Sequence, residues 1–143
     1  NIKFDGIVET LSRSTLSNLV KGQKVNLERS ITSSTEIGGH LMSGHIHGVA
    51  KVTDLKIKES STDMKISIPK GTGKYILEKG YIGINGCSLT VGKVNKSSFN
   101  IHLIPETLEV TNLASLEKNQ FINLELDQNT VSIVDTVERV LNR

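Results

Sequence analysis

Residues 106–125 read ETLEVTNLASLEKNQFINLE, and residues 9–28 carry a related sequence, ETLSRSTLSNLVKGQKVNLE, 97 positions earlier. Aligned without gaps, residues 9–30 and 106–127 share ten identities: Glu9, Thr10, Leu11, Leu16, Leu19, Lys21, Gln23, Asn26, Leu27 and Glu28. Repeats of this length are typical of duplicated domains, because solenoid units are about 20–50 residues long. The repeat therefore predicts two copies of one domain.

The two copies differ in what precedes them. About 75 residues of strand-like sequence lead into the second copy within its unit, but only eight residues precede the first. We therefore expect a fragment that contains the end of one domain and a complete second domain. The predicted division is a remnant at 1–29, a full domain at 30–128 and a terminal segment at 129–143.

Composition narrows the functional classes. A net charge of +2 and only two Tyr and three Phe do not favour nucleic acid as a partner. The sequence has no secretory signal and no apolar run long enough to span a bilayer, so no membrane partner is predicted. A single cysteine, Cys87, cannot form an internal disulfide, which predicts a reducing, cytoplasmic location.

Short alternating segments between turn residues predict an all-β barrel or sandwich. Met64, Ile66 and Ile68 alternate with polar residues, as in a strand with one buried face. The predicted strands are Lys24–Arg29, Gly44–Ile57, Asp63–Pro69, Gly83–Val91, Ser98–Ile104 and Gln120–Asp127. A short helical turn is predicted at Gly73–Lys79.

The last segment, Thr130–Arg143, is predicted to be a helix. Val134, Val137 and Leu141 recur at helical spacing, and Asn129 or Thr130 can serve as N-cap. The helix either packs on its own barrel or associates with copies of itself. The valine-rich stripe favours self-association.

A glycine-rich segment, Gly38–His45, contains two histidines five residues apart. On a strand that spacing puts them on opposite faces, and no carboxylate or cysteine lies at ligand spacing nearby, so no metal site is predicted. The segment is either a connection with two hydrogen-bonding imidazoles or part of a ligand pocket that uses a neutral imidazole.

The stretch Asn85–Thr90 is the second candidate for a site. Asn85-Gly86 predicts a turn, although apolar sequence on both sides leaves a bulge equally open. Ser88 and Thr90 lie on one face, where two hydroxyls either grip the edge of a polar heterocycle or are solvated. Cys87 faces the other way and is expected to be a small core residue.

A third candidate surrounds Pro105, which is expected to end its strand. Thr107 is predicted to cap the turn that follows. Asp127, at the end of the last predicted strand, is either the N-cap of the terminal helix or a carboxylate in a pocket.

Four motifs together resemble the riboflavin synthase family over essentially the whole chain: GGHLMSGHIHG (Gly38–Gly48), YIGINGCSLTVGKV (Tyr81–Val94), the IPETL string at 104–108 and DTVERVL (Asp135–Leu141). The resemblance implies tandem six-stranded antiparallel Greek-key barrels, the first truncated here, and a C-terminal helix that forms a homotrimer. It also makes lumazine synthase a candidate partner.

The resemblance implies an enzyme that joins two molecules of 6,7-dimethyl-8-ribityllumazine, in the last step of riboflavin biosynthesis. A four-carbon unit passes between them, giving riboflavin and 5-amino-6-ribitylamino-pyrimidinedione without a metal or other cofactor. The two substrates would lie between barrels of neighbouring subunits, so we expect the 143-residue chain alone to bind one lumazine and turn over at close to the uncatalysed rate. The alternative is a non-enzymatic lumazine- or flavin-binding relative of the lumazine protein type.

The resemblance also implies site residues. His45, Ser88 and Asp127 would assist proton transfer, and Lys79 would hold the ribityl chain or a ring carbonyl. The other residues implied to bind substrate are Gly44, Ile46, Leu89, Thr90, Ile104, Pro105, Glu106 and Thr107, with Gly6, Ile7 and Thr10 from the first pocket. Two positions depart from the family: Asn85 stands where Asp is frequent, and Gly6-Ile7-Val8 lacks the proline found at Pro105.

Overall fold

The computed structural model describes residues 2–143 and contains a closed barrel of six antiparallel strands with a C-terminal helix. The helices are α1 (Val8–Arg13), α2 (Pro105–Val110) and α3 (Gln128–Leu141), and the strands are β1 (Gly48–Lys58), β2 (Ser61–Ser67), β3 (Tyr81–Ile84), β4 (Cys87–Val94), β5 (Ser98–Leu103) and β6 (Phe121–Leu126). Short 3₁₀ turns occupy Thr15–Asn18, Gly73–Tyr75 and Asn112–Ser115.

The strand order around the barrel is β1-β2-β5-β4-β3-β6. Strands β3, β4 and β5 are consecutive neighbours and β6 returns to pair with β3, which is a Greek-key connection. The predicted barrel is therefore confirmed. Along each strand alternate residues point inward, and the interior is filled by aliphatic side chains and Phe99.

One predicted strand, Gly83–Val91, is wrong, because it is two strands joined by a tight turn. Asn85 and Gly86 have φ values of 48° and 82°, as in a type I′ hairpin turn. Asn and Gly tolerate this left-handed conformation better than other residues do. Of the two alternatives for Asn85-Gly86, the turn is confirmed.

Two further strand predictions need correction. Residues Lys24–Arg29 form no strand in the part of the chain that the structure describes, because the segment has no partner strand there. Residues 44–47 also lie outside β1, which begins at Gly48. The predicted helical turn at Gly73–Lys79 is confirmed only for its first three residues.

The repeated segments have matching local structure. Both α1 and α2 and the 3₁₀ turns that follow them lie 97 residues apart. In each copy a hydroxyl, of Ser14 or of Thr111, accepts the N–H of the residue two further on. The match ends at Lys24. The equivalent residue in the second copy, Phe121, begins β6, whereas the described residues of the first copy form no strand there. The domain duplication and the division of the chain remain predictions.

The two copies also exchange hydrogen bonds. The side-chain oxygen of Asn123 accepts the Thr15 N–H at 2.7 Å, and that of Asn26 accepts the Asn112 N–H at 2.7 Å. These partners are related by the same offset of 97 positions. Each copy thus caps the 3₁₀ turn of the other, which relates the two segments by a local two-fold symmetry.

Helix caps differ from the predictions at two places. Pro105 is the first residue of α2, where its missing N–H costs nothing. Thr107 lies inside that helix, so its predicted role as a cap is wrong, and Thr111 is the capping hydroxyl. Helix α3 is capped by Asp127, as one alternative predicted, and not by Asn129 or Thr130.

Helix α3 is held on the barrel through the 3₁₀ turn at Gly73–Tyr75. The Tyr75 hydroxyl donates to Asp135 at 2.5 Å, and Lys74 bonds to Asp135 at 3.2 Å and to Glu138. The hydrogen bond from Tyr75, followed by that from Lys74, lowers the pKa of Asp135.

Among residues 2–143, no helix combines the length and apolar character needed to cross a membrane.

Replacing Asp127 by Ala should lower the free energy of unfolding by about 1 kcal/mol, the usual cost of losing an N-cap. Asp127 accepts the N–H groups of Asn129 and Thr130 and the Thr130 hydroxyl. Asp127→Asn should retain most of the stability, because an amide oxygen also caps. Urea unfolding at neutral pH measures both variants, and equal stability of Asp127→Ala and the parent protein would contradict the capping role.

Candidate functional site

The site begins with a row of three residues on the outside of the barrel. Gly83 on β3 pairs with Ser88 on β4 and with Glu125 on β6. Because the flanking residues Leu124 and Leu126 point into the core, Glu125 points outward, and Ser88 faces the same way as Thr90. The row therefore consists of the Ser88 hydroxyl, Gly83 without a side chain, and the Glu125 carboxylate, one on each of three neighbouring strands.

The glycine-rich segment crosses this row. A Cβ atom on Gly39 would lie 2.3 Å from the Ser88 hydroxyl oxygen, and one on Gly83 would lie 2.6 Å from the Met42 methyl. The Ser88 Cβ is also only 2.7 Å away from the Cβ position on Gly39, so the close approach requires glycine at 39, whereas the Met42 methyl is the end of a flexible side chain that can shift. The segment and the sheet therefore fit closely because Gly39 has no Cβ.

Glu125 anchors the end of the segment. The residue is only 4% exposed, and its Oε1 accepts the N–H of Ser43 at 2.7 Å, the N–H of Gly44 at 3.0 Å and the Ser43 hydroxyl at 3.1 Å. Gly44 has a φ of 78°, which turns its N–H toward the carboxylate at little cost for glycine. Hydrogen bonds to a carboxylate are among the stronger ones in proteins.

The other end of the segment places His40 against Ser88. Their Nδ1 and hydroxyl oxygen lie 2.6 Å apart, and the His40 N–H donates to the same oxygen at 3.0 Å. The imidazole stacks on Tyr81, with ring centres 5.1 Å apart. Its Nε2 is buried without a hydrogen-bond partner among residues 2–143. A buried polar atom in this condition is unusual in proteins and suits a position that pairs with a ligand.

Asp127 lies at the start of α3, where it bonds to Asn129 and Thr130. Burial raises the pKa of its carboxyl, but the hydrogen bonds from Thr130 and Asn129 outweigh that effect, and the net pKa is lowered. The carboxylate is therefore the stable form at neutral pH. Ser88 and His40 bring together a hydroxyl and an imidazole, two of the groups that transfer protons in enzymes.

A cavity of about 730 Å³ opens beside this cluster and is lined by Glu28, Thr32, His40, Met42, Gly86 and Ser88 among others. Its volume falls within the range of about 300–1,000 Å³ that is typical of small-molecule sites. Among residues 2–143, no three His, Cys, Asp or Glu side chains lie close enough together to hold a metal ion.

The structure separates the three residues predicted to transfer protons. Ser88 bonds to His40, Asp127 caps α3, and His45 is exposed with its Nδ1 bonded to the Ser43 hydroxyl at 2.8 Å. Gly44 and Ile46 flank His45. The geometry therefore makes His40 the imidazole of the Ser88 cluster and leaves His45 at the end of the same segment.

The other predicted residues divide between this face and more distant places. Leu89 packs on the core between Ser88 and Thr90, and the Lys79 N–H donates to the Val91 carbonyl on β4. Among the predicted site residues, Ser88 alone lines the 730 Å³ cavity. Seven of the others lie near the first turns of α1 and α2: Ile104, Pro105, Glu106, Thr107, Gly6, Ile7 and Thr10.

Cys87 lies against the core, as predicted, and burial raises the pKa of its thiol. Asn85, where the family frequently has Asp, accepts the Asn123 N–H through its side-chain oxygen at 2.9 Å. An aspartate oxygen would accept the same bond. The departure from the family thus preserves the hydrogen bond and removes a charge.

Comparisons with known proteins identify the family of this chain. The family model of the lumazine binding domain matches residues 43–127. The chain is 46% identical to riboflavin synthase of Escherichia coli strain K12 over 142 residues, which is 99% of this chain and 67% of that protein. The chain belongs to the riboflavin synthase family. That membership places it among transferase-type enzymes.

A second relative and a solved structure are also similar to this chain. Riboflavin synthase of Chlamydia pneumoniae is 41% identical over 140 residues, covering 98% of this chain and 68% of that protein. The crystal structure of LumP complexed with riboflavin superposes with a TM-score of 0.77 at 31% identity, over 84% of this chain and 65% of LumP. The chain thus spans about two thirds of the length of these relatives.

Sequence reasoning missed Glu125, Met42 and the position of His40. Glu125 was part of the repeat, where Glu28 is its counterpart, but nothing in the sequence pairs it with Ser43 and Gly44. Met42 lies in the motif Gly38–Gly48 and Gly83 in the motif Tyr81–Val94. The contact between them depends on strand register, which motif spacing does not give.

The adjacent glycines 38 and 39 offer a matched test of the segment's docking. Gly39→Ala should displace the segment, because the new Cβ would clash with Ser88, whereas Gly38→Ala meets no atom within 4 Å. Amide hydrogen exchange measures the result: the His40 N–H should lose protection in Gly39→Ala and keep it in Gly38→Ala. Equal protection in the two variants would contradict the docked segment.

Proposed function

We propose that this protein catalyses the dismutation of two molecules of 6,7-dimethyl-8-ribityllumazine. A four-carbon unit passes from one to the other, and the products are riboflavin and 5-amino-6-ribitylamino-pyrimidinedione. The observation that carries the proposal is the pairing of Ser88 with His40 beside a cavity of suitable size, in a chain of the riboflavin synthase family. The relatives' names and the ligands of the LumP structures support the substrate class.

The reaction needs little from the protein beyond positioning and proton transfer. The C7 methyl group of one lumazine loses a proton, and the resulting carbanion attacks the second lumazine, whose ring accepts the electrons. Holding two such reactants face to face can supply an effective molarity of about 10⁵ M or more. Positioned acids and bases add on the order of 10²–10⁴-fold.

Ser88 and His40 are the groups that we place against the lumazine ring. The buried Nε2 of His40 lacks a partner and can pair with a ring heteroatom, while Ser88 passes a proton or orients a water molecule. We propose that Asp127, which caps α3, keeps its predicted role in proton transfer. Tyr81, which already stacks on His40, offers an aromatic surface of the kind that flat heterocycles pack against.

The remaining predicted residues keep their proposed roles. Thr90 adds a second hydroxyl two residues from Ser88, and Lys79 binds the ribityl chain or a ring carbonyl. We propose that Gly44, His45 and Ile46 contact substrate from the end of the glycine-rich segment. We also propose that residues 104–107 near α2, and Gly6, Ile7 and Thr10 near α1, bind substrate at the second and the first barrel.

The second candidate function is binding of a lumazine or flavin without catalysis. The observation that favours it is the likeness to LumP, whose complex with 6,7-dimethyl-8-(1′-D-ribityl) lumazine superposes with a TM-score of 0.77 at 29% identity, over 89% of this chain and 71% of LumP. Such a protein needs the cavity but not a proton-transfer group. Turnover separates the two functions.

We also propose that α3 mediates self-association into a trimer. Ile133, Val137, Val140 and Leu141 are exposed, Val134 is half-buried, and Val131 at the start of the helix packs on the core of the barrel. The helix thus uses its first turns for its own barrel and presents its end to other subunits. Association with lumazine synthase and a cytoplasmic location stay predictions.

Activity is tested with the protein produced from its complete gene. We expect one riboflavin for every two lumazines consumed, measured by absorbance and chromatography. Ser88→Ala should lower kcat on the order of 10²-fold, because proton transfer loses its hydroxyl. Lumazine binding without riboflavin formation by the parent protein would contradict the enzyme and support the binding protein.

Self-association is tested by Val137→Glu, which places a charge on the exposed stripe of α3. We expect the sedimentation coefficient to fall to that of a monomer, because a charge buried in an apolar interface is costly. Ile57→Glu is the control, since Ile57 is also an exposed aliphatic residue, 85% exposed against 51% for Val137, but lies on β1. A parent protein that sediments as a monomer would refute the proposal.

A further inference from the structure

We infer that Glu125 and Ser43 are positioning residues that fix the tautomer of His45, so that its Nε2 is presented as a proton acceptor. The inference rests on the proposed function only for the use of that proton acceptor. The hydrogen-bond geometry itself stands on the described contacts. The series of hydrogen bonds begins at the buried carboxylate of Glu125, passes through the Ser43 hydroxyl and ends at the exposed imidazole of His45.

The direction of each hydrogen bond follows from its acceptor. Glu125 Oε1 takes two backbone N–H groups, from Ser43 and Gly44, so it acts as an acceptor toward the Ser43 hydroxyl as well. The Ser43 hydroxyl has a single proton, and that proton is directed to Glu125. Its oxygen is then left with lone pairs only.

The next bond in the series therefore has a defined donor. His45 Nδ1 lies 2.8 Å from the Ser43 oxygen, and since that oxygen can only accept, Nδ1 must carry the proton. A neutral imidazole with a proton on Nδ1 has its lone pair on Nε2. Among residues 2–143 nothing bonds to this Nε2, and the ring is exposed.

The backbone holds the imidazole in place as well. Gly44 lies between Ser43 and His45, and its left-handed φ is fixed by its hydrogen bond to Glu125. The same carboxylate thus sets the direction in which the chain leaves Ser43 and the orientation of the Ser43 hydroxyl. Glu125 is only 4% exposed, so we expect it to act on the site through Ser43 and Gly44 and not by contacting substrate.

In the proposed reaction His45 would accept the proton of the C7 methyl group. The C–H bond breaks, its electron pair stays in the lumazine ring system, and His45 becomes an imidazolium that returns the proton in a later step. Ser43 remains a suitable acceptor for Nδ1 in both forms, because the Nδ1 proton does not move.

Ser43→Ala isolates the hydroxyl, since the backbone N–H groups of residues 43 and 44 still reach Glu125. Nitrogen-15 NMR of the histidine rings, at a pH where they are neutral, should show Nδ1 of His45 protonated in the parent protein. In Ser43→Ala the ring should become a mixture of tautomers, and Ser43→Thr should restore the parent pattern. His102, whose Nδ1 bonds to Asp63, is an internal control that should not change.

The kinetic measurement uses the same variants. Ser43→Ala should lower kcat about three- to tenfold with little change in KM, because only molecules with a lone pair on Nε2 can accept the proton. Ser43→Thr should be close to the parent. A protonated Nε2 in the parent protein, or an unchanged tautomer in Ser43→Ala, would overturn the inference.

The two proposals fail separately. A changed tautomer with unchanged kcat would overturn the use of His45 as a proton acceptor. A parent protein that forms no riboflavin would sink the proposed function, while the ring spectra would still decide whether Glu125 and Ser43 set the tautomer.

Discussion

The buried carboxylate of Glu125 is the interaction on which the site depends. Burying a carboxylate is unfavourable unless hydrogen bonds replace its water, and here the Ser43 and Gly44 N–H groups and the Ser43 hydroxyl do so. Those donors belong to a segment without regular secondary structure. The carboxylate therefore converts a glycine-rich connection into a fixed part of the barrel wall, with His40 at one end and His45 at the other.

The barrel contributes by register. Pairing of Gly83 with both Ser88 and Glu125 places a hydroxyl, a gap and a carboxylate in one line, and the missing Cβ of Gly83 makes room for Met42. A shift of one residue in any of the three strands would turn these groups into the core. The closed barrel is thus the support that holds the glycine-rich segment, Gly38–His45, in one conformation.

Much of the fold could be predicted from the sequence, because alternation, turn residues and helical spacing are local signals. The β2 and β5 strands and helix α3 follow from such patterns. Lys24–Arg29 failed because a strand also needs a partner, and Gly83–Val91 failed because apolar sequence concealed the Asn85-Gly86 turn. The site was predicted only in part: the motifs around Ser88 and His45 were identified, but the pairing of Ser88 with His40 and the role of Glu125 depend on contacts between the glycine-rich segment and strands that lie 48 and 82 positions further along the chain.

The central claim is that the 730 Å³ cavity lined by His40, Met42, Gly86 and Ser88 receives the ligand. Titration of the nitrogen-15-labelled protein with 6,7-dimethyl-8-ribityllumazine, followed by amide chemical shifts, tests it most directly. We predict that the largest changes fall on His40, Ser88 and Thr90. Asp54, Lys56 and Asn100, which line a smaller cavity on the other side of the barrel, should change little. Largest changes at that smaller cavity, with none at Ser88, would contradict the account.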